Sequence, residues 1–345
     1  MEMSQYTSMD RMLAAFKLER PDRVPVFLDN SLATCRAIGL KVGDMIRKPE
    51  VFCDALCTSY EKYGYDAVRI SSDVAVEAEA MGGTAIYPED AAVALKDHPV
   101  KSEKDFLKLV PPNPCTDGRM AVMVKTVELV RRRLGENVFI SASASGPLNM
   151  AAQLLGVDNF LIMAIDDPEF LEKVLDFTAE INILYTKALF KAGATCIIMG
   201  EAICSCGVIG KNRYVEFAQK RHKRIVEEYN RSGMHFHTLH ICGNIAPILQ
   251  DIADTGFVSI DIDTPMNVGA SREILGHKIT MIGNISPSEL LLSPPERITE
   301  LCANVLSDKE GLGFVLGAGC NMNPSTPEEN IYAMVNAAKK YGLYE

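Results

Sequence analysis

The fold is decided by residues 195–244, where two strand-like runs flank one helical pattern. The first run is TCIIMGE at residues 195–201, and the second is HFHTLHICGN at residues 235–244. Between them, residues 213–231 repeat apolar positions with helical spacing. The stretch therefore predicts a strand, a helix and a second strand in succession. Both strands end in residues that can bind a ligand.

The same alternation extends along the whole chain without a linker or a low-complexity tract. We predict eight strands, at residues 24–28, 67–72, 138–143, 195–199, 235–241, 258–262, 280–282 and 314–316. Helices are predicted at residues 9–18, 49–63, 119–134, 149–163, 169–190 and 213–231, and a last helix near residue 326. Residues 88–110 are predicted to form a peripheral insertion. Eight strands that alternate with helices predict a (β/α)8 TIM barrel with an N-terminal helical extension, folded as a single domain over residues 1–345.

A doubly wound open sheet is the competing architecture. Such a sheet usually carries a glycine-rich phosphate loop after its first strand. Here the first predicted strand is followed by Asp29, Asn30, Ser31 and Leu32, with no glycine. We therefore favour the barrel, in which functional side chains lie at the carboxyl ends of the strands.

Composition argues against several classes of function. Of the 345 residues, 48% are hydrophobic, and 35 Lys and Arg stand against 45 Asp and Glu, for a net charge of -10. A chain this acidic is not expected to bind nucleic acid or an anionic membrane. No apolar run approaches the roughly 18–20 residues of a membrane helix. Because no signal peptide is visible, we expect a cytoplasmic protein whose ten cysteines are reduced.

The strongest chemical signal is HICGN at residues 240–244. Residues i and i+2 of a strand point to one face, so His240 and Cys242 could aim a ring nitrogen and a sulfur at one point. Cys320, in GAGC at residues 317–320, could supply a third ligand. This set suits Zn(II) and leaves one tetrahedral position open, as in catalytic zinc sites. A packed core pair is the alternative, because free Cys is commonly buried.

Four carboxylates near predicted strand ends are candidate catalytic residues. Asp73 follows the second strand, and Glu201 follows the fourth. Asp261 and Asp263 share one face at the end of the sixth strand, and either could reach the zinc or orient His240 as a hydrogen-bond acceptor.

Other candidates have simpler explanations. Glu77 and Glu79 could cap or flank the helix that follows the second strand. Cys204 and Cys206 form another i, i+2 thiol pair that could bind a soft metal or act in redox chemistry. We expect these two cysteines to line the pocket instead.

Several stretches resemble the uroporphyrinogen decarboxylase superfamily, and the likeness covers nearly the whole chain. They are RMLAAF at 11–16, PDRVPV at 21–26, DVAVEAEAMG at 73–82, GP at 146–147, AQLLG at 152–156 and TPEEN at 326–330. The resemblance implies a (β/α)8 barrel. Within the superfamily, the His-x-Cys and Gly-Cys elements resemble the zinc-dependent methylcobalamin:coenzyme M methyltransferase branch. That resemblance implies that His240, Cys242 and Cys320 bind a zinc ion, which activates a thiol to take a methyl group from a corrinoid.

The decarboxylase branch is the alternative, as a metal-free enzyme that acts on a tetrapyrrole. That branch carries an Arg-Gln-Ala-Gly-Arg element after the first strand, whose arginines bind substrate carboxylates. Only Arg36 could serve in the corresponding segment here, and Ala318 stands where that branch has a His between two glycines. Asp73 matches the decarboxylase aspartate, although the methyltransferase branch can carry an acid there too.

The sequence thus predicts a zinc-dependent corrinoid methyltransferase. Its methyl donor would be a methylcorrinoid, either free methylcobalamin or a corrinoid carried by a partner protein. The acceptor would be coenzyme M, another small thiol or tetrahydrofolate. Two cysteinate ligands would neutralise the zinc charge, so that an added substrate thiolate would stay nucleophilic. A non-catalytic protein that handles corrinoids is a further alternative.

Overall fold

The structure is a computed structural model that describes residues 6–307 and 312–344. Eight of its strands pair in parallel and close into a barrel, and the other two, β3 and β4, pair as an antiparallel hairpin outside it. The strands in chain order are β1 (Val26–Phe27), β2 (Ala67–Ile70), β3 (Thr84–Ile86), β4 (Ala94–Asp97), β5 (Phe139–Ser145), β6 (Cys196–Gly200), β7 (His237–His240), β8 (Ser259–Asp261), β9 (Thr280–Ile285) and β10 (Phe314–Ala318).

The barrel strands follow one another around the barrel in chain order. Closure comes from β10, which pairs with β9 on one side and with β1 on the other, where Val26 lies opposite Leu316. This arrangement confirms the predicted (β/α)8 barrel. That residues 1–345 fold as one domain remains a prediction, which limited proteolysis would test.

Helices connect the strands. In the described part of the chain they are α1 (Ser8–Phe16), α2 (Val42–Met45), α3 (Pro49–Tyr63), α4 (Val76–Ala80), α5 (Glu103–Phe106), α6 (Gly118–Leu134), α7 (Pro147–Leu155), α8 (Val157–Asp166), α9 (Pro168–Lys191), α10 (Gly210–Arg213), α11 (Lys220–Arg231), α12 (Leu249–Ala253), α13 (Val268–Leu275), α14 (Pro287–Leu292), α15 (Pro295–Ser307) and α16 (Glu328–Tyr341). A π-helical turn, Tyr214–Gln219, separates α10 from α11.

Two sequence-based boundaries are wrong. The helix predicted at residues 149–163 is two helices, α7 and α8, which meet at an angle of 106°. Gly156 joins them with a φ of +84°, a conformation that glycine adopts readily and other residues do not. The peripheral insertion predicted at residues 88–110 begins earlier, because β4 within it pairs with β3 before it.

The N-terminal helix α1 covers the end of the barrel at which the strands begin. Met12 and Phe16 of α1 belong to one apolar cluster with Phe27, Phe139 and Ile198 of the strands. Burying such a cluster stabilises the fold by about 25 cal/mol per Å² of apolar surface. Because this end is filled, a functional site has room at the opposite end, where the strands finish.

The motif at residues 21–26 has a structural role. The carboxylate of Asp66, which precedes β2, lies 2.6 Å from Nη1 of Arg11 and 2.7 Å from Nη1 of Arg23. It also accepts a hydrogen bond from the backbone N–H of Val26 at 2.8 Å. This buried network ties α1 and the first strand to the second.

No single helix in the described ranges has both the length and the apolar composition to cross a membrane. The bent pair α7 and α8 meets those two criteria only when both helices are counted together.

Candidate functional site

Three ligand-type side chains converge where the strands of the barrel end. His240 is the last residue of β7, Cys242 follows it, and Cys320 follows β10. Nε2 of His240 lies 3.4 Å from Sγ of Cys242 and 3.7 Å from Sγ of Cys320, and the two sulfurs are 3.7 Å apart. A tetrahedral zinc ion, with bonds of about 2.3 Å to sulfur and about 2.0–2.1 Å to nitrogen, requires S···S near ~3.8 Å and N···S near ~3.6 Å. The three atoms fit zinc as they stand.

Glycines and one carboxylate shape the two cysteine turns. Gly243, with a φ of +83°, donates its N–H to Oδ2 of Asp263 at 2.6 Å. Oδ1 of Asp263 accepts the N–H of Thr264, also at 2.6 Å. A Cβ on Gly319 would lie 2.7 Å from the nitrogen of Thr264, so only glycine lets the chain before Cys320 come this close. Asp263 therefore holds backbone around the ligands and does not contact His240.

Asp261, another of the candidate carboxylates, lies behind the ring of His240. Its Oδ2 is 3.5 Å from Nδ1 of His240 and 2.9 Å from Nη1 of Arg69. Nε of Arg69 is in turn 3.2 Å from Oδ1 of Asp29, and all four side chains are buried. Burial would raise the pKa of Asp261, but Arg69 and His240 outweigh burial and lower it. Burial does raise the pKa of Asp29, in spite of Arg69.

The side chains of His240, Cys242 and Cys320 shift one another's pKa values strongly. Burial would lower the pKa of His240, but hydrogen bonds with Asp261 and Cys320 raise it to about 10. The hydrogen bond from Cys242 lowers the pKa of Cys320 to about 4, against the effect of burial and with help from His240. The same sulfur contact raises the pKa of Cys242, and burial adds to the rise. Thiolate character next to a histidine is what a zinc ion needs from its ligands.

The structure places Glu201 at the amino end of a helix. Its fully buried carboxylate accepts the backbone N–H groups of Leu148 at 3.1 Å and Asn149 at 2.8 Å, in the first turn of α7. Nε2 of His222 lies 3.4 Å from the same carboxylate. A negative charge at a helix amino terminus is stabilised by the unpaired N–H groups there.

Cys204 belongs to this second buried cluster. Ligand atoms of Glu201, Cys204 and His222 all lie within 4.8 Å of one another, and burial raises the pKa of the Cys204 thiol well above its usual range. Cys206 is half-buried and is not part of the cluster, as far as the described residues go. The neighbours of Cys204 are therefore Glu201 and His222, and no metal-ligand group pairs it with Cys206.

Asp73 is held by an arginine that the sequence analysis did not single out. Its carboxylate oxygens lie 2.6 Å and 2.9 Å from Nη1 and Nη2 of Arg119 in a two-point ion pair. Nε of the same arginine contacts Glu79 at 2.7 Å. Asp73 also accepts the N–H of Ala75 at 3.0 Å and the hydroxyl of Ser72 at 2.5 Å. Glu79 therefore pairs with Arg119, and Asp73 has its hydrogen-bonding capacity filled by the protein.

A cavity of about 130 Å³ joins the three ligand-type side chains to two of the candidate acids. Among the residues lining it are His240, Cys242 and Cys320, and the acids Asp73, Glu77 and Glu201. Both carboxylate oxygens of Glu77 accept hydrogen bonds from Ser145, one from its N–H at 2.7 Å and one from its hydroxyl at 3.0 Å. Burial raises the pKa of Glu77. Glu77 thus belongs to the cavity wall as well as to α4.

Sequence reasoning missed Arg69, Asp29 and Arg119. Arg69 had a usable signal, because it is a charged residue inside the apolar strand AVRI at residues 67–70. In a strand that is buried on both faces, such a residue must find a partner inside the barrel. Asp29 had a weaker signal, as an acid that follows the first strand. Arg119 had no signal in the sequence, because it lies on α6 and only the packing of that helix brings it to Asp73.

The chain is similar to known proteins over nearly its whole length. The sequence profile of the family described as uroporphyrinogen decarboxylase (URO-D) matches residues 7–341. A methylcobamide:CoM methyltransferase of Methanosarcina barkeri is 28% identical to this chain, over 98% of this chain and 99% of that protein. A uroporphyrinogen decarboxylase of Alkalilimnicola ehrlichii is also 28% identical, over 95% of this chain and 93% of that protein.

Solved structures resemble the chain as well. The structure of a methyltransferase from Methanosarcina mazei matches with a TM-score of 0.89 at 28% identity, over 98% of this chain and 99% of that one. A B12-independent methionine synthase from Shewanella sp. W3-18-1 matches with a TM-score of 0.56 at 14% identity, over 84% of this chain and 86% of that one. The second likeness concerns the fold alone.

Proposed function

This chain belongs to the uroporphyrinogen decarboxylase family, and its similarity to methyltransferases supports a methyltransferase activity. We propose that it moves a methyl group from a methylcorrinoid to a small thiol held at a zinc ion. The family, the barrel and the methyltransferase class agree with the sequence-based predictions. The observation that carries the zinc proposal is the triangle of Nε2 of His240 and Sγ of Cys242 and Cys320, with sides of 3.4–3.7 Å.

The residues around the triangle hold it in shape. The carboxylate of Asp261 lies 3.5 Å from Nδ1 of His240, on the side of the ring away from Nε2, which leaves Nε2 to bind metal. Arg69 fixes Asp261, and Asp263 fixes the turn after Cys242. When bound, a zinc ion would lower the pKa of a substrate thiol, so that the thiol loses its proton at neutral pH.

Asp73 and Glu201 line the same cavity, and we assign them positioning roles. Asp73 pairs with Arg119 behind the cavity wall, and Glu201 fixes the first turn of α7. Neither carboxylate has a hydrogen bond to a metal ligand in the described structure. We therefore expect their replacement to affect methyl transfer less than the loss of a cysteine ligand.

The methyl donor in this proposal is a methylcorrinoid, either free methylcobalamin or a corrinoid on a partner protein. The name of the Methanosarcina barkeri relative, a methylcobamide:CoM methyltransferase, supports that donor. The ligand sulfurs, only 3.7 Å apart, are open to oxidation when no metal is bound. We accordingly propose that the enzyme works in a reducing compartment, the cytoplasm.

Tetrapyrrole decarboxylation is the second candidate, because decarboxylases are among the relatives. A substrate with several carboxylates needs several free cations. Arg36 is partly exposed, pairs with Asp90 at 2.7 Å and is not among the residues that line the cavity. Arg69 does line it but is shared between Asp29 and Asp261. Because both arginines are paired with acids of the protein, they favour methyl transfer over decarboxylation of a polycarboxylate.

The test is a methylcobalamin demethylation assay, followed by absorbance, with zinc-loaded and chelator-treated protein and a panel of thiols plus tetrahydrofolate. We expect turnover that requires both zinc and a thiol, and that is lost in Cys242→Ser. Metal-independent release of CO₂ from uroporphyrinogen, without methylcobalamin turnover, would establish the decarboxylase instead.

A further inference from the structure

We infer that the methyl acceptor carries no anionic group beside its thiol, and that the cavity next to the metal ligands instead receives an ammonium or hydroxyl group. The inference rests on the proposed function and narrows its acceptor. It separates aminothiols and hydroxythiols from coenzyme M, which is a sulfonate, and from tetrahydrofolate, which has a carboxylate tail.

The cavity offers no free cation to an anionic acceptor. Among its described lining residues, Arg69 is the only arginine or lysine. Its Nε lies 3.2 Å from Asp29 and its Nη1 lies 2.9 Å from Asp261, and both acids are buried. A sulfonate would have to compete for Arg69 with two carboxylates that already lie buried beside it. Anion sites in proteins normally present an uncommitted arginine, lysine or helix amino terminus.

The amino terminus of α7, beside the cavity, is already occupied. The first N–H groups of α7 are directed at the carboxylate of Glu201, which itself lines the cavity. A Cβ on Gly146, the residue before α7, would lie 2.3 Å from Glu201, so the carboxylate packs directly on this end of the helix. This helix end, which could have received an anion, therefore holds a protein anion.

Carboxylates outnumber cations in the cavity wall and in the layer behind it. The two arginines there, Arg69 and Arg119, are each shared between two acids. Among the described residues, the acids of this region include Asp29, Asp73, Glu77, Glu79, Glu201 and Asp261. A second anion placed among them would lose its hydration and meet like charges. With two cysteinates and a substrate thiolate on Zn(II), the metal centre would also carry one net negative charge, which a cationic group on the acceptor would offset.

Glu77 and Ser143 are the groups that could bind such an acceptor. Each oxygen of Glu77 accepts one hydrogen bond from Ser145, whereas a carboxylate has about four acceptor positions in all. The hydroxyl oxygen of Ser143 is buried and has no hydrogen-bond partner among the described residues, and Ser143 lines the same cavity. Ser143 and Ser145 are two residues apart on β5, so they face the same side of the strand. An ammonium or hydroxyl group would satisfy both Glu77 and Ser143.

Three thiols of matched length test the inference: 2-mercaptoethanesulfonate, 2-mercaptoethanol and 2-aminoethanethiol. We expect kcat/KM for methylcobalamin demethylation to be highest for the aminothiol and about tenfold or more lower for the sulfonate, which corresponds to ~1.4 kcal/mol. Calorimetric Kd values for the zinc-loaded protein without methylcobalamin should follow the same order. This binding measurement does not depend on turnover.

Glu77→Gln removes the charge and keeps the shape of the side chain. We expect it to reduce the preference for aminothiol over sulfonate about tenfold in both kcat/KM and Kd. Comparing this ratio between variant and wild type cancels the different intrinsic reactivity of the thiols. Asp90→Asn is the control, because Asp90 is an exposed acid that pairs with Arg36 away from the cavity lining. It should leave the ratio unchanged.

The outcomes separate the inference from the proposed function. If the sulfonate or tetrahydrofolate is the best acceptor, the inference is wrong and the methyltransferase proposal stands. If no acceptor is methylated by zinc-loaded protein, the proposed function fails, and the Kd order of the three thiols still decides the charge preference of the cavity. Should Glu77→Gln fail to fold, as judged by circular dichroism, the wild-type series alone decides.

Discussion

The carboxylate of Asp261 lies 3.5 Å from Nδ1 of His240, at the opposite ring nitrogen from the one that contacts the two cysteine sulfurs. Histidines that bind a metal almost always direct their second ring nitrogen to a carboxylate, a carbonyl or water. When a metal is bound, a carboxylate here would favour the tautomer with its proton on Nδ1, which leaves the Nε2 lone pair for the metal. The barrel supplies this pair from neighbouring strands, since His240 of β7 lies opposite Asp261 of β8.

Replacing Asp261 should weaken zinc binding while leaving all three proposed ligands in place. We expect Asp261→Asn to lower zinc affinity about 10–100-fold, the usual effect of losing such a partner. Competition titration with a chromophoric chelator measures the affinity. The matched control is Asp73→Asn, because Asp73 lines the same cavity and pairs with Arg119 instead of a proposed ligand. Equal losses in the two variants would refute a specific role for Asp261.

Cys320 should be required for the metal itself. We expect Cys320→Ser to reduce the zinc content from about one ion per chain and to lower the affinity by more than about 100-fold, because a direct ligand counts for more than its hydrogen-bonding neighbour. Metal analysis after purification without chelator is the measurement, with Cys206→Ser as the control thiol outside the cluster. An unchanged zinc content in Cys320→Ser would mean that Cys320 is not a ligand.

The ranking of two variants distinguishes the two enzyme classes. In a zinc-dependent methyl transfer, Cys242→Ser should nearly abolish demethylation of methylcobalamin, and Asp73→Asn should reduce it modestly. In a metal-free decarboxylase, an aspartate in the place of Asp73 would be indispensable. Rates of both variants are measured with methylcobalamin and the best thiol. An inactive Asp73→Asn beside a fully active Cys242→Ser would favour the decarboxylase.

The sequence predicted the barrel and the convergence of His240, Cys242 and Cys320 because both depend on short-range pattern. Strands and helices alternate at readable spacing, and His240 and Cys242 share a strand face by simple periodicity. Cys320 could be added because every strand of a barrel ends at the same rim. The distances of 3.4–3.7 Å among the three atoms agree with that expectation.

The environment of the triangle could not be read in the same way. Which acid contacts His240 depends on the stagger between β7 and β8, and the sequence left Asp261 and Asp263 equivalent. The partner of Asp73 comes from α6, 46 residues away along the chain. Glu201 looked like a free acid at a strand end, but its neighbours are N–H groups of α7 and a histidine. Such contacts depend on how helices pack around the barrel, which local pattern does not specify.

Gly146 should tolerate no side chain, because Glu201 occupies the space that a Cβ would need. The nearest atoms of Glu201 would lie 2.3 Å from it, and Glu201 is fully buried and cannot swing into solvent. We expect Gly146→Ala to lower the free energy of unfolding by about 1–3 kcal/mol or more, as overpacked cores do. Gly200→Ala is the control, since nothing lies within 4 Å of its Cβ position. Urea denaturation compares the two, and equal stabilities would contradict the tight packing of Glu201.

Stability should fall in mild acid because of one buried histidine outside the metal-ligand set. His237 packs between the rings of Tyr229 and Phe257, and burial lowers its pKa to about 4. Its pKa in the unfolded chain is near ~6.5, so below that pH the unfolded state takes up a proton that the folded state refuses. The contribution is therefore fully present above pH ~6.5 and is lost between pH ~6.5 and ~4. From pH 7 to pH 5 the loss should be about 2 kcal/mol.

Comparing the wild type with His237→Leu isolates this contribution. The variant keeps an apolar side chain between the rings and removes the titrating group, while every other ionisable residue is shared. Free energies of unfolding from urea titrations at pH 7 and pH 5 should therefore show a smaller acid loss in the variant, by about 2 kcal/mol. Parallel losses in the two proteins would mean that His237 takes up its proton as easily in the folded chain as in the unfolded one.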